Sequence, residues 1–382
     1  MNIIPHNNGD VNIQVNIDIA KRKAIIAQKR AKRRADEKKP PQQRWSAHKR
    51  DAMRVSDRLI ELGMFRRAYR MRSCAQQIIG VRCMECGNIM VTEARYCRDR
   101  LCPISNWRLS NKRYGQMTQL MSALYNAYPD LTYSLITLTV QNVAPDQLDQ
   151  RLQAMQRAWC GVRQQRWARK ELVGWARSLE VTYNPTARNL HPHYHIIALT
   201  YGTAAAGKII DEWIDQARKQ DLIVSYAAQH CDNIVEHHEE GASLAGAICE
   251  VYKYMVKSSD ELDMPLSTFR EFAEGIAGHR LISMGGKIKE YAKLLALEDM
   301  EENSEEEHKE IEMCGKCKSQ ALDEMVMEWS VASNTYIAFG GGGTVYIDDA
   351  AYHTNDKDDV VELMQLIRDK TVTIDNGGVE DK

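Results

Sequence analysis

No stretch of the 382-residue chain is apolar over the roughly 18 positions that a membrane-spanning helix requires. Residues 1–16 lack the basic start and apolar core of a signal peptide. A cytoplasmic protein with no membrane partner is therefore expected. Proline and glycine are sparse, at 9 and 22 residues, which excludes a collagenous or low-complexity chain. No glycine fingerprint follows a predicted strand, so a dinucleotide-binding fold is disfavoured. The one glycine run, Gly340 to Gly343, is followed by Thr344-Val345 and not by the Lys-Ser/Thr of a phosphate loop. It reads as a turn between two strands. Motif sets for a helicase or a polymerase are absent as well.

The composition, 44% apolar and 27% charged, is that of an ordinary globular protein, and the length suits two or three domains. The net charge of −1 conceals a strong segregation. Between Lys21 and Arg72 there are 19 Lys and Arg against 5 acidic residues, and between Asp299 and Glu312 there are 8 acidic residues and one Lys. A basic front of this density, helical over 17–39 and again over 46–73, suits phosphate contact.

Behind it, Tyr133–Val140, Ala176–Tyr183 and 191–199 read as strands, with a further strand within 223–236. Helices are predicted over 111–127, 207–219 and about 242–257. Another carries Leu148, Leu152, Met155 and Trp159 on one face. This short-range interleaving predicts an α+β class: a central antiparallel sheet with flanking helices, a small zinc-binding module and a basic helical N-terminal region. The expected boundaries are 1–75 for a basic DNA-contacting arm, 76–115 for the cysteine module, 116–265 for the sheet domain and 266–382 for a C-terminal region with the acidic stretch.

Ten cysteines in a reducing compartment read as thiols or metal ligands before disulfides. Cys83-Met-Glu-Cys86 and Cys97-Arg-Asp-Arg-Leu-Cys102 form two close pairs separated by a short loop. Such pairs can close a tetrahedron around a structural zinc. Arg98, Arg100 and Arg108, with Trp107 interleaved, give this module a mix suited to phosphates and stacked bases. Cys314-Gly-Lys-Cys317 is a third pair with no partner nearby in sequence.

His191-Pro-His193-Tyr-His195 opens an apolar strand, and alternate strand residues share a face. His193 and His195 therefore project together, with His191 either joining them or standing at the rim. Glu180 interrupts the preceding apolar strand, where a carboxylate is costly unless it is paired or bound to a metal. Two imidazoles and a carboxylate suit a divalent ion such as Mn²⁺ or Mg²⁺ acting on phosphate oxygen. On the helix after Gly241, Glu250, Tyr254 and Lys257 fall at i, i+4 and i+7 on one stripe. A carboxylate, a phenol and an amine placed together make a nucleophile set.

Taken together, Cys97-Arg-Asp-Arg-Leu-Cys102-Pro103 with Trp107-Arg108, then Thr137-Leu-Thr-Val140, Glu180, His191-Pro-His-Tyr-His195 and Glu250-Val-Tyr-Lys-Tyr254-Met-Val-Lys257 resemble, in order and spacing, the replication initiators of rolling-circle plasmids. These belong to the HUH endonuclease superfamily. Ser105 and Leu109 stand where that family often has a further cysteine and arginine. The resemblance implies a ferredoxin- or RRM-like sheet and a metal held by His193, His195 and Glu180. It implies attack by Tyr254 on origin DNA, single-stranded or hairpin, to leave a 5′-phosphotyrosyl link and a 3′-hydroxyl primer. It further implies a lysine role for Lys257, and water activation by Glu250 for the terminating cleavage. Host helicase and DNA polymerase would complete replication. An HUH transposase or relaxase, and a non-catalytic zinc DNA-binding regulator, are the alternatives.

Overall fold

The computed structural model describes residues 41–234, 247, 248, 251, 262–295, 297 and 311–340. The expected helix over 17–39, most of the acidic stretch and the strand expected after the glycine run lie outside these residues.

The basic stretch forms two helices, α1 (Pro41–Glu61) and α2 (Phe65–Ser73). Much of its positive charge is engaged by groups of the protein itself. Lys49 is fully buried, and its ammonium donates to the carbonyls of Arg72 at 2.6 Å and Cys74 at 2.5 Å. Arg58 donates to the carbonyls of Leu262 and Met264, and Arg72 pairs with Asp57. Arg67 grips Asp99 through Nε and Nη2 at 2.8 and 2.9 Å. Density of charge in the sequence therefore overstates what this segment has left for phosphates.

Strands β1 (Gln77–Cys83) and β2 (Ile89–Ala94) follow as a hairpin. Helix α3 (Pro103–Ala127) begins directly after Cys102, with proline in its first turn, where the missing N–H costs nothing. Strand β3 (Thr132–Thr139), helix α4 (Leu148–Gln164), strands β4 (Leu172–Asn184) and β5 (Asn189–Thr200), helix α5 (Thr203–Arg218) and the short strand β6 (His230–Asn233) then match the expected order. Helix α6 (Leu266–Gly275), strand β7 (Ile282–Gly286), helix α7 (Lys287–Leu294) and strands β8 (Leu322–Ser330) and β9 (Thr335–Gly340) complete the described chain.

The strands form two antiparallel sheets. The larger has the order β6-β3-β5-β4-β7, and the smaller β2-β1-β8-β9. The α+β class is thus as expected from the sequence. One face of the larger sheet carries Ile196, Tyr194 and Leu138, packed with Trp159 of α4 and Trp213 of α5. The other carries Ile197, Leu199 and Leu135, in one apolar cluster with α3, α7 and the described residues Ala247, Ile248 and Val251. Both layers are wanted because a central strand is apolar on both sides and must be covered on both.

Strand β7 comes from beyond residue 265, the boundary expected for the sheet domain, and it pairs with β4 from Gly174 to Ser178. Strands β8 and β9 come from later still, and β8 pairs along the whole of β1. The smaller sheet is thus assembled from two segments more than 200 residues apart in sequence.

The turn from β7 into α7 depends on Gly286, at φ 60° and ψ −145°, a region that side chains exclude. A Cβ there would strike the carbonyl oxygen of Val173 and lie 2.9 Å from Gly174 Cα. Gly286→Ala is expected to destabilise the fold by about 2–4 kcal/mol, measured as a fall in the urea midpoint at unchanged slope.

Candidate metal centre

Strands β4 and β5 pair in a register that sets Glu180 opposite His193, Ser178 opposite His195 and Thr182 opposite His191. On the other side of β5, β3 sets Thr139 opposite His193 and Thr137 opposite His195. Directly opposed residues share a face, so three strands contribute to one polar patch. This patch continues the face whose apolar part carries Ile197 and Leu199.

Glu180 and the two histidines converge. Glu180 Oε2 lies 3.2 Å from His193 Nε2 and 3.1 Å from His195 Nε2. The three ligand-type atoms lie within 4.8 Å of one another. Glu180 and His193 are buried, and His195 is partly open to solvent. The far nitrogen of each ring has its own contact: His195 Nδ1 is 3.2 Å from Thr137 Oγ1, and His193 Nδ1 is 3.3 Å from the carbonyl of His191. Such partners fix the orientation of each imidazole and leave both Nε2 atoms for the shared position beside the carboxylate.

His191 is placed outside this group. Its Nε2 lies 3.0 Å from Thr139 Oγ1 and its Nδ1 2.7 Å from Asn142 Oδ1, so both ring nitrogens are engaged. Its ring is 5.2 Å from that of His193, at the rim of the patch. The sequence does not by itself mark Thr137, Thr139 or Asn142 as orienting groups. The only signal for the threonines was their alternation in β3 at the level of the histidines. Glu250, Tyr254 and Lys257 lie outside the described residues, as does Tyr252, the alternative nucleophile that the sequence offers two residues before Tyr254.

The cysteines separate differently from the expectation. The set Cys83, Cys86, Cys97 and Cys102 is not brought together. Cys83 and Cys86 meet Cys314 and Cys317, whereas Cys97 and Cys102 meet Cys74. The physical reason is long-range: β1 pairs with β8, which carries the distant Cys-x-x-Cys to the β1–β2 turn. The start of α3 meanwhile folds Cys97 and Cys102 back onto the end of α2. Ser105 Oγ lies 3.2 Å from Cys74 Sγ and 3.5 Å from Cys97 Sγ. Burial opposes ionisation of Cys74, yet hydrogen bonds from Cys102 and Cys97 and the charge of Lys49 hold its thiol well below the usual range. Burial pushes Cys97 and Cys102 up.

The four residues expected to contact DNA have mixed surroundings. Arg98 is exposed, on a loop residue with φ 55°. Arg100 donates to the carbonyls of Ile276 and His279 at 2.8 and 2.5 Å, which ties the cysteine loop to the segment after α6. Trp107 packs edge-on against Trp45 and stacks on His48. Arg108 bonds the Tyr96 hydroxyl at 3.1 Å and lies over the Trp45 ring.

Among the described residues, no helix is long and apolar enough to cross a membrane. A family model described as "Replication protein" matches residues 88–337. The chain is similar to a "Protein rep" of Streptococcus pneumoniae serotype 2, 29% identical over 265 residues that cover 67% of this chain and 81% of the relative. It is similar to a "Protein rep" of Lactiplantibacillus plantarum, 28% identical over 304 residues, or 76% of this chain and 94% of the relative. A "Replication protein" of Staphylococcus aureus is 29% identical over 199 residues, 49% of this chain and 83% of its own length. No solved structure matches the chain.

Proposed function

The chain belongs to the replication protein family of plasmid replication initiators, and from that premise we propose that it starts rolling-circle replication by nicking one strand of its plasmid origin. The observation that carries this reading is the meeting of Glu180, His193 and His195 on one face of the larger sheet, each imidazole held from behind. Two imidazole nitrogens and a carboxylate oxygen fit a divalent cation, and Mn²⁺ or Mg²⁺ is the class proposed. When bound there, the ion supplies Lewis-acid polarisation of the scissile phosphate.

Tyr254 is the proposed nucleophile. Val251, three residues before it, lies in the apolar cluster on the same sheet face as the histidines. The phenol loses its proton as its oxygen bonds to phosphorus. The bond from phosphorus to the 3′-oxygen breaks, and that oxygen takes up a proton to become the 3′-hydroxyl primer. The DNA stays joined to the protein by a 5′-phosphotyrosyl bond. Lys257 offsets charge on the phosphate, and Glu250 serves as base for the second, terminating cleavage. A host DNA polymerase extends the primer and a host helicase opens the duplex ahead of it, since the chain has no motif set for either. Arg98 is the proposed phosphate contact of the cysteine loop, and Trp107 with Arg108 a stacking edge beside it.

The test uses the full-length protein and a 3′-labelled single strand carrying the origin, with Mn²⁺ or Mg²⁺ or with chelator. Label that migrates with the protein on a denaturing gel, in the presence of metal alone, is the expected result. Retention of the strand on a native gel with no transfer of label under any of these metals would instead assign a non-catalytic DNA-binding regulator.

A further inference from the structure

The geometry points to a structural zinc ion held by Cys83, Cys86, Cys314 and Cys317, clamping the β8–β9 hairpin to the β1–β2 turn. The four Sγ atoms lie within 4.8 Å of one another. Across the two pairs, Cys83 to Cys317 is 3.4 Å and Cys86 to Cys314 is 3.6 Å. Four thiolates at the usual zinc–sulfur distance of about 2.3 Å stand about 3.8 Å apart at the corners of a tetrahedron. A disulfide would need about 2.05 Å, so these are contacts of four separate sulfurs around a common centre.

The two Cys-x-x-Cys turns are built alike, though they share no sequence between the cysteines. In the first, Cys83 N–H donates to the carbonyl of Asn88 at 2.9 Å, and Gly87 N–H to that of Cys83 at 2.9 Å. In the second, Cys314 N–H donates to the carbonyl of Ser319 at 2.8 Å, and Lys318 N–H to that of Cys314 at 2.9 Å. The residue after the second cysteine is left-handed in both, Gly87 at φ 66° and Lys318 at φ 64°. Glycine accepts that conformation freely, whereas lysine does so at a cost, which implies that the turn is held by something beyond its own sequence. Backbone N–H groups are turned toward sulfur: that of Lys316 lies 3.4 Å from Cys314 Sγ. Donors of this kind stabilise thiolates over thiols, as metal ligation requires.

The location gives the ion a task. Cys83 ends β1, opposite Leu322 at the start of β8, and Met84 N–H donates to the carbonyl of Ala321 at 2.9 Å. A tetrathiolate there closes the end of the smaller sheet, where two segments more than 200 residues apart in sequence meet. At the other end of that sheet, β9 is fastened to α1 by Ser46 Oγ, 2.9 Å from Thr335 Oγ1. The site is separate from the proposed nicking centre and independent of that reading. It differs also from the Cys74, Cys97 and Cys102 group, which is wholly buried and has Lys49 beside it.

The test reads each cysteine in the full-length protein, purified without chelator. The protein is alkylated with iodoacetamide with and without a zinc chelator, the released zinc is measured, and the modified peptides are mapped. Labelling of Cys86 and Cys317 is expected to rise at least about tenfold on chelation, in step with release of one zinc per chain. Cys231, exposed and outside both groups, should be unaffected. Cys86→Ala and Cys317→Ala should each lower the bound zinc by one equivalent. Labelling of Cys86 and Cys317 that is indifferent to chelator would overturn the proposal. So would zinc release that changes only the Cys74, Cys97 and Cys102 peptides. Both readouts use the unaltered chain, so they stand even where a variant fails to fold.

Discussion

Tyr254→Phe is expected to bind origin DNA as the unaltered chain does and to form no covalent DNA adduct. Phenylalanine keeps the ring and removes only the oxygen that would bond to phosphorus. The step is lost outright, and any residual strand breakage should fall by at least about three orders of magnitude, or about 4 kcal/mol in the barrier. The matching Tyr252→Phe variant decides between the two tyrosines. On the helix expected from the sequence over about 242–257, at about 100° per residue, the two would fall some 160° apart and would not both face the same phosphate. An adduct that survives in Tyr254→Phe and disappears in Tyr252→Phe would transfer the role to Tyr252. Glu250→Ala is expected to separate the two cleavages: the first adduct forms at its usual rate, and products longer than one plasmid unit accumulate because the terminating step fails.

His193→Ala is expected to lower metal-dependent cleavage by about a thousandfold, again with DNA binding retained. The substitution removes one nitrogen from the shared position and strips the Glu180 carboxylate, which is buried, of a partner 3.2 Å away. A stability cost of about 1–3 kcal/mol should therefore accompany the loss of activity. Those two effects are separable by a measurement that does not involve DNA. If the three side chains hold Mn²⁺, the ion at about 100 times its dissociation constant should stabilise the unaltered protein by about 2.7 kcal/mol, seen as a rise in Tm. In His193→Ala and in Glu180→Gln that rise should vanish. His191→Ala is the informative neighbour. Its nitrogens are engaged by Thr139 and Asn142, so the Mn²⁺-induced rise should survive there. Loss of the rise in His191→Ala alone would mean that the ion sits further toward the rim than Glu180 allows.

Much of this is legible in the sequence. The strands around Tyr133–Val140 and 191–199, the inward face of α4 and the inward face of α5 follow from periods of two and of 3.6 residues, which the chain carries locally. The pairing of His193 with His195 follows from the same parity. Glu180 was identified because a carboxylate in an apolar strand needs a partner, and a short connection to the next strand made the histidines the nearest candidates. The helix after Cys102 was expected to begin later, since polar residues from Ser105 to Asn111 weaken its apolar signal. Proline in the first turn was the better marker.

The cysteines show where local reading ends. Spacing alone favoured Cys83 and Cys86 with Cys97 and Cys102, because those pairs are closest along the chain and the smallest loop joins them. The protein instead joins Cys83 and Cys86 to a pair more than 220 residues away. Nothing local encodes that choice. It results from β8 covering β1 along its full length, and from α3 drawing Cys97 and Cys102 against α2. Likewise the charge density of the basic front does not disclose that Lys49, Arg58 and Arg67 bond to other groups of the protein.

What depends on neighbours along the chain is written locally: the elements, the face each presents, and the alternation that sets His193 beside His195. Which faces meet is a matter of long-range packing. It brought Glu180 within 3.2 Å of both histidines, added β7 to the edge of their sheet and sorted the cysteines into two groups. The reason is that side-chain direction repeats with a fixed local period. The pairing of distant strands, in contrast, is selected by the apolar surface and backbone hydrogen bonds of whole layers, summed over residues that no short window contains.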